Sequence, residues 1–154
     1  MTLGIVQAGV GDRALLRGLL ADCLAELATF GPVDLAYPYF ELYWDPAERR
    51  WPYLLMQGND IAGFALVNTV SPSREGTDFA MAEFYVAPEA RRCGFGRAAA
   101  ARILRMHEGL WELAIMSGNE PARRFWPQAI AMAAVGAPER IEADGEMIYR
   151  FRTG

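Results

Sequence analysis

Tyr85-Val86-Ala87-Pro88-Glu89-Ala90-Arg91-Arg92-Cys93-Gly94-Phe95-Gly96-Arg97 is the stretch on which the reading of this chain turns. It joins the apolar segment Phe79–Val86 to the alanine-rich Arg97–Met106, with two glycines one residue apart at the junction. Phe79–Val86 is apolar on both alternating faces except at Glu83, which predicts a central strand stopped by Pro88. Arg97–Met106 predicts a helix with Ala99, Ala100, Ile103 and Met106 facing inward and Arg97, Arg102 and Arg105 on the opposite arc. Gly94 and Gly96 admit backbone angles closed to other residues and leave the main chain bare to a ligand. Successive N–H groups then converge at a helix N-terminus, where the dipole favours an anion, and Arg91, Arg92 and Arg97 add positive charge. The turn predicts a phosphate-binding element.

Working outward, Leu3–Ala8 is β-like and leads to Asp12, a helix N-cap type. Leu16, Leu20, Cys23, Leu24 and Leu27 then fall on one helical face, and Gly31-Pro32 ends the run. Tyr37 to Tyr53 holds seven of the chain's 18 aromatics, too dense for a plain linker and long enough for a further helix. Tyr53–Gln57 and Ile61–Val70, joined by Gly58-Asn59-Asp60, predict a hairpin, and Ser71–Gly76 a loop. Trp111–Met116 predicts a buried strand, Pro121–Ile130 a helix opened by proline, and Glu146–Phe151 a final strand. The order β-α-(α)-β-β-β-α-β-α-β-β is that of an α/β domain with a mixed sheet.

The chain has 154 residues, which fits one domain over 1–154. Hydrophobic residues make up 53% and charged ones 22%, the profile of a soluble globular protein. Acidic residues outnumber basic ones 19 to 15, which argues against nucleic acid as a partner. Cys23 and Cys93 lie far apart and His107 is the sole histidine, so no metal-ligand spacing exists and the thiols read as free in a reducing compartment. Neither a signal peptide nor a membrane span is evident: the longest uncharged stretch, Phe125–Pro138, is too short. The expectation is a cytoplasmic protein with no membrane partner.

Two phosphate-binding readings fit the turn. Gly94-x-Gly96-x-x-Ala99 matches the relaxed dinucleotide fingerprint, but it lies past mid-chain and no acid ends a strand about twenty residues on; Glu112 begins one. In contrast, Arg91-x-x-Gly94-x-Gly96 resembles the acetyl-CoA-binding motif of the GNAT superfamily of N-acetyltransferases. The preceding Phe84-Tyr85-Val86-Ala87-Pro88-Glu89 looks like that family's strand end. Trp111–Met116 followed by Asn119-x-x-Ala122-x-x-Phe125-Trp126 resembles its fifth strand and following helix. The resemblance covers Leu54–Ile130.

This resemblance implies a mixed, mostly antiparallel central sheet flanked by helices, with a cofactor cleft where two strands splay apart. Acetyl-CoA would be the acyl donor, without a metal. Backbone groups of Tyr85 and Val86, beside Phe84, would pair with its pantetheine arm. N–H groups of Cys93, Gly94, Gly96 and Arg97 would hold the pyrophosphate, supported by Arg91, Arg92 and Phe95. Asn119 would bond to the arm across the cleft, next to Ala122, Phe125 and Trp126. The acetyl group would pass directly to a primary amine of a small molecule or peptide, and the protein could be a homodimer, as many relatives are. That direct route suits a sequence without a Ser-His-Asp or Cys-His arrangement.

Trp126 departs from the tyrosine that often stands at this position and is thought to protonate the departing thiolate; an indole N–H is far too weak an acid. A non-catalytic acyl-CoA-binding module is the alternative this raises. Tyr149 in the last strand offers a phenol as a substitute donor. For the base, Glu83 is the only ionisable side chain on its strand, set on the same face as Met81 and Tyr85 by simple alternation. Burial there would raise its pKa towards neutrality; an ion pair with Arg91 or Arg92, or an exposed edge position, are its other readings. The aromatic segment would either line an acceptor pocket or pack as core and lid. Cys93 reads as a small residue tolerated near phosphate, and His107 as support for its helix end.

Overall fold

The computed structural model describes residues 2–154. Its elements are β1 (Leu3–Gln7), α1 (Arg13–Leu27), β2 (Trp51–Gln57), β3 (Asp60–Asn68), β4 (Phe79–Val86), α2 (Phe95–Met106), β5 (Gly109–Met116), α3 (Glu120–Ala133), β6 (Ala134–Ala143) and β7 (Glu146–Thr153). Short helical turns occupy Val10–Asp12, Phe40–Trp44 and Pro88–Ala90. β4 has the bounds its apolar pattern predicts. The penultimate strand, expected in the order but not placed, is β6. It is exposed along most of its length and carries a register shift between Val135 and Glu139. Such an edge strand has no buried face to impose an alternation, and Pro138 is tolerated at its irregularity.

The seven strands form one sheet in the order β1-β2-β3-β4-β5-β7-β6. Five of the six neighbouring pairs are antiparallel; only β4 and β5 run parallel. The dinucleotide alternative, which needs an open and mostly parallel sheet, is thereby discarded. β4 and β5 pair only through Phe79↔Trp111 and Ala80↔Glu112. Beyond that point β4 stays bonded to β3 as far as Val86↔Gly63, while β5 stays bonded to β7 as far as Met116↔Glu146. Each strand keeps its outer partner and loses the inner one, so the sheet opens as a wedge.

Two apolar clusters sandwich this sheet. On one face α2 and α3 bury Ala99, Ala100, Ile103, Leu104, Trp126 and Ile130 against Trp111 and Leu113. On the other, α1 buries Leu16, Leu20, Cys23 and Leu24 with Phe40 and Tyr43 against Phe64 and Leu66. The α1 face is the predicted one. In α2, Leu104 is buried instead of Met106, which is 46% exposed at the helix end. Asp12 does precede α1, but its carboxylate accepts from the Gly9 N–H (2.9 Å) and closes the preceding turn rather than capping the helix. The aromatic segment forms only the five-residue turn Phe40–Trp44, not a full helix. Among the described residues no helix is long and apolar enough to cross a membrane.

Candidate active site

At the end of β4 the chain makes the Pro88–Ala90 turn and enters α2 through two consecutive left-handed residues, Cys93 (φ 60°) and Gly94 (φ 71°). The helix begins at Phe95, two residues before the expected Arg97, because buried Phe95 already packs into the core. Left-handed residues at a helix start turn successive N–H groups to one side, which is an anion-binding shape. A Cβ on Gly96 would lie 3.2 Å from Val86 Cγ2 and 3.4 Å from Phe125 Cε1. The residue is bare because strand, helix and α3 converge there.

The three arginines of the turn part company. Arg97 lines the cleft and donates from Nη1 to Gln128 Oε1 (2.7 Å). Arg91 is no free cation: Nε donates to the Val86 carbonyl (2.7 Å), Nη2 pairs with Glu26 on α1 (2.6 Å), and the guanidinium lies over the Tyr85 ring. It ties the end of β4 to α1, and it already occupies the Val86 carbonyl that was expected to meet the cofactor arm. The Arg92 and Cys93 side chains line a separate recess with Leu3, Gln57 and Glu89, outside the cleft, so only their backbone belongs to the turn.

The wedge holds two recesses. One, of about 450 Å³, runs from the turn along Phe84, Tyr85 and Val86 between α1 and α3. The other, of about 360 Å³, lies in the splay between β4 and β5. They share Leu27, Phe84, Asn119, Ala122 and Trp126, so the two recesses adjoin at these residues. Phe84 is fixed there by stacking on Phe125 (5.7 Å) and by the edge of Trp126 (5.3 Å). Asn119 caps α3, its Oδ1 accepting from the Ala122 N–H (3.2 Å); its amide donors remain for the junction.

Glu83 lines the far recess. Leu66 pairs with Glu83 and Val67 with Met81, so Ala82 is an extra residue, a β-bulge. The bulge breaks the alternation: Met81 packs under α2 and α3, whereas Ala82 and Tyr85 pack with the α1 cluster. The expectation that Glu83 shares a face with Met81 fails for this reason. Glu83 Oε2 accepts a hydrogen bond from Tyr37 Oη (3.0 Å), and Oε1 has no protein partner among the described residues. No arginine pairs with Glu83; Arg91 serves Glu26 instead. Burial pushes the carboxyl from its ordinary 4.5 up to about 7, with the Tyr37 hydrogen bond opposing the shift. Burial and the facing Glu83 push Tyr37 upward, so it stays a hydrogen-bond donor.

Tyr149 does not join the site. It is buried in the core with Leu113 opposite on β5, and it lines neither recess. The proton-donor role has no geometric basis there. His107 lies among Trp51, Phe79 and Trp111, its Nε2 2.6 Å from Tyr53 Oη, and its carbonyl accepts from Trp111 Nε1 and Thr153 Oγ1. That is support for the end of α2, as read.

Two features escaped the sequence reading. Tyr37 was one ring among many, and nothing local links it to a residue 46 positions away. Buried Glu112 accepts from Ser71 Oγ (2.8 Å) and from the Ser73 N–H and Oγ (3.0 and 2.7 Å), and it pairs with Arg150. Burial alone would raise its pKa; these hydrogen bonds hold it below the usual value. The network pins the loop whose Val70 and Pro72 wall the far recess. An acid at the start of an apolar strand and two serines in the loop were the available signals.

Comparison with known proteins was made against this geometry. Residues 20–130 match the model of the acetyltransferase (GNAT) family. No curated protein matches the chain. Among solved structures, an acetyltransferase from Thermus thermophilus superposes with a TM-score of 0.70 at 20% identity, over 98% of this chain and 96% of that one. A GNAT family acetyltransferase from Streptococcus agalactiae gives a TM-score of 0.72 at 12% identity, over 99% and 96%. The PaiA N-acetyltransferase from Thermoplasma acidophilum, solved in complex with coenzyme A, gives 0.70 at 9% identity, over 99% of both chains. At these identities the likeness is one of fold.

Proposed function

The chain belongs to the acetyltransferase (GNAT) family, and we propose that it transfers an acetyl group from acetyl-CoA to the primary amine of an acceptor seated in the recess beside Glu83. The junction of the two recesses at Leu27, Phe84, Asn119, Ala122 and Trp126 carries this reading, because it sets a donor and an acceptor recess side by side in the wedge. The coenzyme A complex of the Thermoplasma relative supports a donor of this kind.

The donor supplies an acyl thioester. This chain's groups suited to hold it are the N–H groups of the turn from Gly94, the Arg97 guanidinium and the Asn119 amide, with Phe84 and Phe125 as apolar walls. The left-handed Cys93 and Gly94 at the start of α2 give the backbone a shape that suits bound phosphate. Glu83 takes a proton from the incoming ammonium, directly or through water, since only the neutral amine is a nucleophile. A carboxylate titrating near 7 is matched to that task at neutral pH. The apolar walls exclude bulk water, which limits hydrolysis of the thioester.

A second reading, binding of acyl-CoA without transfer, is favoured by Trp126 at the junction and by Tyr149 lining neither recess. Coenzyme A release, measured with acetyl-CoA and a panel of primary amines at pH 8, separates the two. Amine-dependent release with a matching N-acetylated product is expected; acetyl-CoA binding with no release by any amine selects the second reading.

A further inference from the structure

The charges around the acceptor recess are one-sided. Among the described residues, Glu83 and Glu146 are the only ionisable side chains that line it. The remaining walls are apolar, among them Val70, Met81, Leu113 and Met116, or neutral and polar, as at Asn68 and Asn119. Neither an arginine nor the histidine lines it, and the chain has no lysine at all. Two arginines on neighbouring elements have partners of their own. Arg150 pairs with Glu112, and Arg123, in the recess beyond Glu146, pairs with Glu120 (3.5 Å) and donates to the Ser117 carbonyl.

The two acids also occupy opposite ends. Glu83 sits on β4 at the inner end, with Oε1 free of protein partners among the described residues. Exposed Glu146 opens β7, opposite Met116 at the far end of β5. β7 lies two strands from β4 and the β4–β5 gap is splayed here, so the two acids stand further apart than the roughly 10 Å of two closed strand spacings, with apolar surface between them.

Resting on the acetyltransferase reading, we propose that the acceptor is an amine with an apolar chain and no carboxylate, and that Glu146 at the rim selects acceptors bearing a second ammonium group at the far end. A substrate carboxylate has no cation to meet in this recess and faces Glu146, whereas a second ammonium is attracted to it. Glu146 is exposed and screened by solvent, so meeting or facing this one charge is worth about three- to fivefold in specificity.

Three acceptors of equal chain length test this: hexylamine, hexamethylenediamine and ε-aminocaproic acid, compared by kcat/KM for N-acetylation. The expected order is diamine, then monoamine, then amino acid, with about three- to fivefold between the neighbours. Glu146→Gln should collapse the ratio of diamine to monoamine, and Glu146→Lys should place the amino acid above the diamine. Position 146 is exposed, so both variants should fold, checked by their melting temperatures. Equal use of the amino acid and the monoamine overturns the proposal while leaving acetyl transfer intact, as does a diamine preference unchanged in Glu146→Gln. If acetyl-CoA raises the melting temperature but no amine is acetylated, the acceptor class falls together with the transferase reading.

Discussion

In the proposed reaction, Glu83 joins the chemistry and the stability of this chain in one side chain. As the base, it should give kcat/KM an acidic limb near pH 7, the value to which burial lifts it. Glu83→Gln should remove that limb and lower turnover on the order of 10²-fold or more. Tyr37 holds the carboxylate down by donating to it, so Tyr37→Phe should move the limb to higher pH. The same shift has a thermodynamic sign. The folded state holds this proton up to about 7, the unfolded chain only to its ordinary 4.5. The resulting contribution favours folding fully below 4.5 and is lost as pH rises through about 7. Relative to the parent, Glu83→Gln should therefore gain on the order of 1–3 kcal/mol in stability at pH 8 and little at pH 4. Thermal melts across that pH range check it, and a variant less stable at both ends would show that burial does not set this titration.

Two elements position the wedge by close packing rather than by motif. On β3, a Cβ at Gly63 would lie 2.0 Å from the Tyr85 carbonyl oxygen, so β3 meets the end of β4 without room for a side chain. Gly63→Ala should displace the strand that faces the donor, with a loss of about 2 kcal/mol or more in denaturant titration and weaker acetyl-CoA binding by calorimetry. Unaltered binding would mean that the strand end is not used. On β5, Glu112 fastens the Ser71–Gly76 loop to the sheet. Glu112→Gln leaves the Arg150 charge without its buried partner and should cost roughly 3 kcal/mol at pH 7. Since the folded pKa of Glu112 is depressed, its contribution is present above the unfolded value and lost as pH falls through the folded one. The deficit of the variant should accordingly shrink in acid. Neither role was legible. A lone glycine within β3 and a lone acid within β5 have many readings until the opposing strand is known, whereas β4 and α1 were legible because their periodicity is internal to each element.

Over the whole molecule, the proposed donor binding is coupled to folding through the wedge. β4 and β5 share only two residue pairs, and beyond them the gap is closed by α1, α3 and the loops. A donor lying in that gap binds the folded state alone, so acetyl-CoA at a hundredfold excess over Kd should add about 2.7 kcal/mol, a rise of roughly 5–10 °C in melting temperature. A nicotinamide dinucleotide at the same concentration should not reproduce it. A melting temperature unmoved by acetyl-CoA would remove the donor from the cleft. The turn from Cys93 to Gly96 was readable as an anion site because glycine spacing and helix start are adjacent in sequence. The second recess was not, because its walls come from α1, the β3–β4 loop, β4, β5, α3 and β7.

By itself the sequence determined the local instructions: a buried strand ending at Pro88, a glycine turn into a helix, a proline-opened helix after β5, and one carboxylate in an apolar strand. Each is governed by backbone angles or by periodicity within a few residues, and these hold whatever the rest of the chain does. Only the tertiary structure decided the bulge that turns Glu83 toward Tyr37, the capture of Arg91 by Glu26, the exclusion of Tyr149, and the meeting of two recesses. Those depend on strand register and on contacts between residues tens of positions apart. They are settled by many small packing and charge terms that no single segment carries.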